Sequence, residues 1–285
     1  MLRAKKQNIL PGLKQRRFRQ RLILYRGNKG RKGPRKIPRS AVPSFFTLMN
    51  LFCGFLSLVQ VLEGRLEYAG WLIFLASFFD MLDGTLARLT NGTSNFGMEL
   101  DSLADIVSFG IAPSFMIYGF GLSEYGTPGV IISALPAMAG AVRLARFNAG
   151  YEGEKKDTFT GIPIPVAAVS IVAIILNADI VAMVSQNGSD MTVMLVTVIL
   201  VSGLMVSNIP FDSVPRASIE YIRNHRIKTL IYFTGFLITV FFRARGLLFV
   251  MVVYLLGGLV LAFAGFVKAV RETEPDEIST ENPSE

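Results

Sequence analysis

Asp80, Asp83, Asp101 and Asp105 stand at spacings of three and four residues inside strongly apolar surroundings. At about 100° per helical residue, Asp80, Asp83, Gly84 and Ala87 share one face with Arg88 at its edge, and Gly97, Asp101 and Asp105 form a stripe on the next helix. The short polar link from Thr90 to Asn95 predicts an antiparallel pair whose acids meet at one level. A carboxylate at the bilayer centre costs about 2.5–3.5 kcal/mol, so four together need compensation of up to roughly 10 kcal/mol. One arginine cannot neutralise four carboxylates. A divalent cation can, and carboxylate oxygens with water are the ligands that Mg²⁺ or Mn²⁺ prefers. Two other readings compete: helix caps and surface charges in an aqueous loop, or acids lining a cation or proton pathway. The second leaves the interleaved glycines unexplained. Small residues at 84, 87 and 97 would let a bulky ligand approach the backbone, or would serve helix packing. With His225 the only histidine and Cys53 the only cysteine, acid–base work falls to carboxylates, and a Cys-rich zinc site is excluded.

The elements that must position these acids read as membrane helices. In 285 residues, 51% are hydrophobic and the mean hydropathy is +0.46, more apolar than an ordinary soluble domain. Stretches near 20 apolar residues predict spans at 43–62, 67–87, 98–121, 128–149, 162–184, 190–208, 228–243 and 245–268. The seventh has the shortest apolar run, Thr229 to Phe242, and a re-entrant segment is its alternative. Loops bearing Arg88, then Arg143, Arg146, Lys155 and Lys156, then Arg216, Arg223, Arg226 and Lys228 alternate with loops poor in bases. The positive-inside rule therefore places both termini and the aspartates on the cytoplasmic side of the cytoplasmic membrane.

The net charge of +8 belongs to one end, because residues 1–40 hold 15 of the 29 Lys and Arg and no acid. Phe18, Leu22 and Tyr25 fall at helical spacing among arginines, the pattern of a basic amphipathic helix on anionic membrane lipids. A solvated arm and a nucleic-acid-binding arm are the alternatives, and the apolar spans that follow favour lipid over nucleic acid. No short apolar core with a small-residue cleavage site marks a removable leader. Residues 272–285 carry six acids and read as a disordered end.

The pattern D-x2-D-G-x2-A-R-x8-G-x3-D-x3-D, complete from Asp80 to Asp105, resembles the signature of the CDP-alcohol phosphatidyltransferases. That resemblance implies an all-α integral membrane protein, here about eight helices on a six-helix core, commonly a homodimer, with the nucleotide bound between the first three helices. It assigns Asp80, Asp83 and Asp101 to metal, with Asp105 bridging a second ion or accepting the nucleophile's proton, hence two Mg²⁺ or Mn²⁺ ions. Asp83, Gly84, Ala87, Arg88 and Gly97 would contact the CDP moiety. Pro43-Ser-Phe-Phe-Thr47-Leu-Met-Asn50 with Gly54 is similar to the family's first-helix pattern and adds Thr47 and Asn50 to those contacts. The expected organisation is a basic tail at 1–42, a catalytic core at 43–210, two added helices at 211–270 and an acidic tail at 271–285.

Arg143-Leu-Ala-Arg146-Phe-Asn148, Phe159-Thr160-Gly161-Ile-Pro163-Ile-Pro165 and Leu204-Met-Val-Ser207-Asn-Ile-Pro resemble segments of membrane-embedded phosphatidylserine synthases within that family. The resemblance implies CDP-diacylglycerol and L-serine as substrates, phosphatidylserine and CMP as products, and a serine and phosphate pocket at Arg143, Arg146, Asn148, Thr160 and Gly161. A phosphatidylglycerophosphate or inositol-type synthase is the alternative. The arginines also fit positive-inside loop residues, and the prolines a helix-start turn.

Overall fold

The structure is a computed structural model of the 285-residue chain and describes residues 41–90, 92, 94–149, 161–184, 190–207, 209 and 226–273. Residues 1–40, Thr160, His225 and residues 274–285 lie outside the described residues. The helices are α1 (Ala41–Leu62), α2 (Leu66–Leu89), α3 (Asn95–Phe120), α4 (Gly126–Ala149), α5 (Ile164–Ile175), α6 (Ala178–Val184), α7 (Asp190–Val206) and α8 (Arg226–Thr273). A short 3₁₀ turn, Leu122–Tyr125, joins α3 to α4. No strand occurs among the described residues.

Ala41–Leu62, Asn95–Phe120 and Leu122–Ala149 are long and apolar enough to cross a membrane, as is Thr229–Val260 when counted across its break at Arg243, and α5 and α7 are shorter apolar helices. The protein is an all-helical, multi-pass membrane protein. The 24-residue α2 falls outside the most apolar set because it carries Glu67, Asp80, Asp83 and Arg88. Phe45, Phe52 and Phe55 leave α1 outward, as a lipid-facing helix surface requires.

At the centre stands α5, with nine of its 12 residues buried, as expected of a helix apolar all round. Around it the core gathers Ile73 and Ala76 from α2, Phe109, Met116 and Ile117 from α3, Met194, Val198 and Val201 from α7, and Leu247 from α8. Against α2, α1 is fastened by Ser57, whose Oγ donates to the Ala69 carbonyl at 3.0 Å. Pro136 interrupts α4, and the neighbouring Ala137 N–H is taken by Ser114 Oγ of α3 at 3.2 Å, so the irregular backbone is satisfied by a packed helix.

One predicted span differs in detail. The stretch expected as one helix at 162–184 breaks at Leu176 and Asn177 into α5 and α6. Asn177 Nδ2 donates to the carbonyls of Ala173 at 2.7 Å and Ala244 at 2.8 Å, so a buried amide competes with the helix and ties the break to α8. The seventh and eighth spans are, as expected, two helices, and they meet where Arg243 takes φ 50° and ψ −128°. A Cβ on Gly246 would collide with the Ile238 carbonyl and one on Gly235 would stand 3.4 Å from Val250, so the arms 226–242 and 244–273 double back as a hairpin.

Candidate functional site

Asp105 lies where α3 changes winding. Residues 95–105 are α-helical, Ile106–Ile111 form a π-helical segment, and Ala112–Phe120 return to α-helix. Such a widened turn re-aims the side chains around it and frequently marks a functional site. The segment packs closely on α1: a Cβ on Gly54 would collide with Ser108 Oγ, and that hydroxyl donates to the Asn50 carbonyl at 2.9 Å. The contact holds the fully buried Asn50 in place, and its Nδ2 donates to Asp105 Oδ1 at 3.2 Å.

One carboxylate oxygen from each of Asp80, Asp101 and Asp105 lies within 4.8 Å of the other two. Asp83 sits beside this group, buried, with the Thr47 hydroxyl and the Gly84 N–H toward its carboxylate. Asp83 Oδ2, Asp101 Oδ1 and Asn50 Oδ1 are buried without a hydrogen-bond partner. Among the described residues no ion pair closer than 4.0 Å neutralises these acids, the one such pair being Arg65–Glu63 at the α1–α2 turn. Three convergent carboxylates, with unpartnered oxygens on Asp101 and the adjacent Asp83 and no cation within ion-pair distance, fit a hard divalent ion that takes oxygen ligands.

Small residues border the acids. Gly84 and Ala87 are half-buried on α2, Arg88 is exposed with its Nη1 4.0 Å from where a Gly84 Cβ would stand, and the Gly97 N–H is capped by Ser94 Oγ at 3.0 Å. That N-cap starts α3 and sets the register that carries Asp101 and Asp105 inward.

Arg143, half-buried on α4, lies within electrostatic range of both Asp105 and Tyr254, and its Nε has no hydrogen-bond partner. Three residues on, exposed Arg146 donates from Nη1 to the Val206 carbonyl at 2.8 Å. Asn148 Nδ2 donates to Ser102 Oγ at 3.1 Å, joining the end of α4 to α3 between Asp101 and Asp105. Gly161 is buried at φ 78°, gives its N–H to the Ile209 carbonyl at 2.8 Å, and would place a Cβ 2.6 Å from the Met205 carbonyl. Only glycine meets both conditions without strain. Arg146 and Gly161 thus meet the carboxyl end of α7, while Arg143 lies within electrostatic range of Asp105, as Arg88 does of Asp80.

With this geometry in place, a family model for CDP-alcohol phosphatidyltransferase matches residues 40–203, more than half of the chain. The chain belongs to the CDP-alcohol phosphatidyltransferase family. The match runs from α1 into α7 and so contains every described residue named above as a site candidate. Curated relatives within the family include the CDP-diacylglycerol--serine O-phosphatidyltransferase of Helicobacter pylori, 43% identical over 139 residues, or 49% of this chain and 59% of that protein. The archaetidylserine synthase of Methanothermobacter thermautotrophicus is 40% identical over 133 residues, covering 46% of this chain and 56% of the relative. The CDP-diacylglycerol--serine O-phosphatidyltransferase of Bacillus subtilis is 37% identical over 131 residues, covering 46% and 73%. The chain thus spans 59% of the length of the Helicobacter pylori protein it matches.

Several residues that shape this family site carry no sequence signal of their own. Ser108 is one serine among many, and only its contact with Gly54 and Asn50 gives it a part. Tyr254 lies 111 positions beyond Arg143 and outside the matched segment, so no local pattern could have paired them.

Proposed function

We propose that this chain transfers a phosphatidyl group from CDP-diacylglycerol to the hydroxyl of L-serine, giving phosphatidylserine and CMP. The observation that carries the reading is the convergence of Asp80, Asp101 and Asp105 within 4.8 Å inside the segment matched by the family. The names of the relatives support serine as the acceptor. Asp80, Asp101 and Asp105 would hold Mg²⁺ or Mn²⁺, with Asp83 beside them, and two ions would occupy the site. Bound there, divalent metal offsets charge on the pyrophosphate and improves CMP as a leaving group.

The protein's own groups do the remaining work. Thr47, Asn50, Gly84, Ala87, Arg88 and Gly97 border the space for the CDP moiety, the glycines leaving the backbone approachable. Arg143 turns a guanidinium without an Nε partner toward the acids, and such a group can pair serine's carboxylate through two hydrogen bonds. Asn148, tied to Ser102 between Asp101 and Asp105, would border that pocket, while Arg146 and Gly161 brace the adjoining end of α7. Serine's oxygen attacks phosphorus, the new P–O bond forms as the bond to CMP breaks, and Asp105 takes the hydroxyl proton. Asn50 holds that carboxylate in position from the side.

Incubating the purified full chain with CDP-diacylglycerol, divalent metal and either serine, glycerol 3-phosphate or inositol, then identifying the lipid by mass spectrometry, tests the reading. Phosphatidylserine with equimolar CMP is expected. A product from another alcohol and none from serine replaces the acceptor, and no product from any of them removes the activity.

A further inference from the structure

Beyond the catalytic acids, a groove of about 740 Å³ lies between α2 and the two arms of the α8 hairpin. Its walls are apolar, from Leu230, Phe236, Leu247, Val250 and Val253, and its core-side contact is Phe74. That volume lies within the roughly 300–1,000 Å³ of ordinary ligand sites. Two features join it to the catalytic centre. Phe74 precedes Asp80 by six residues on α2, about 9 Å along the helix. Tyr254 lines the groove and also stands within electrostatic range of Arg143, which faces Asp105. From Leu247 to Gly258 the lining covers 11 helical steps, about 16 Å, which matches one leaflet of a hydrocarbon core about 30 Å thick.

We propose that this groove holds an acyl chain of the lipid substrate, with Tyr254 and Arg143 at the end where the chain meets the reacting head group. The inference rests on the lipid-substrate reading above and adds a role for the α8 hairpin, which lies outside the matched segment. The occupant is an acyl chain because the walls are apolar, the lining runs about one leaflet deep, and Tyr254 on that lining is within electrostatic range of Arg143, which in turn is within range of Asp105. Gly257 lines it with nothing within 4 Å of where a Cβ would stand, so a large side chain there fills the groove without displacing the backbone.

Two measurements on the full chain test this. In phosphatidylcholine nanodiscs, CDP-diacylglycerol carrying a mid-chain diazirine should label the segment 230–258, and excess unlabelled CDP-diacylglycerol should suppress that label. Label that resists the competitor marks a bulk-lipid surface, label confined to other helices marks another groove, and chain-to-chain cross-links from this face mark a second copy; each overturns the proposal. In the second measurement, Gly257→Trp should lower kcat/KM for the dioleoyl substrate by about tenfold or more while keeping a dihexanoyl CDP-diglyceride within about twofold. A normal rate on the dioleoyl substrate overturns it. If the parent protein turns over neither substrate with any alcohol, the functional reading fails, and competed labelling still decides the groove.

Discussion

Asn50 shows how a residue outside the acidic motif controls it. Its amide donates to Asp105 from a fully buried position, so its loss frees a carboxylate that, in the proposed reading, would help hold a cation. Partners that orient ligands typically contribute 10–100-fold to metal affinity. Asn50→Ala should therefore weaken Mn²⁺ binding by about 10–100-fold, read by electron paramagnetic resonance, with helix content by circular dichroism unchanged. Undiminished binding would remove Asn50 from the site. The two arginines of α4 should separate in the same way. Arg143→Lys exchanges a planar fork for a point charge beside the acids and should raise the serine KM by about tenfold, because one bidentate contact is lost. Arg146 donates to the end of α7, so Arg146→Lys should lower the melting temperature and leave the serine KM near the parent value. The reverse pattern would exchange their roles.

The same acids depend on close helix approach. Gly54 brings α1 against the π-helical turn of α3, and a side chain there would meet Ser108 Oγ and its Cα before any relaxation. Overpacking of this kind costs about 1–3 kcal/mol. Gly54→Val should lower thermal stability by that order, and it should also weaken divalent-metal binding, because Asn50 and Ser108 shift together. A valine variant with parental melting temperature and metal affinity would show that the close contact is dispensable. The spacing of the acids already made one face of α2 and one stripe of α3 legible in the sequence. The widened turn after Asp105 was not legible, because a π-helical insertion follows from packing against α1 and α4 rather than from the composition of Ile106–Ile111.

For the molecule as a whole, the charge pattern of the loops predicts a cytoplasmic catalytic side. Glu63 and Asn95 are exposed at opposite ends of α2 and provide a direct test. In a Cys53→Ser background, an impermeant maleimide should label Glu63→Cys in intact cells and Asn95→Cys only after permeabilisation. Labelling with the opposite sidedness would invert the topology and move the acids to the other face of the membrane.

Period, hydropathy and the spacing of Asp80 to Asp105 were enough to determine an all-helical membrane protein, the positions of its helices to within a few residues, and the family that the matched segment then established. Those properties are local: a helix places residues three and four apart on one face whatever surrounds it, and a bilayer demands apolar length. Tertiary structure decided what depends on distant approach. It selected Asp80, Asp101 and Asp105 as the convergent carboxylates, turned Arg143 to the acids and Arg146 to α7, split α5 from α6 at Asn177, and set Tyr254 of the α8 hairpin beside Arg143. Apart from Asp101 and Asp105, which share one stripe of α3, each of these contacts joins different helices and so is fixed by how whole helices pack, which sequence spacing does not encode.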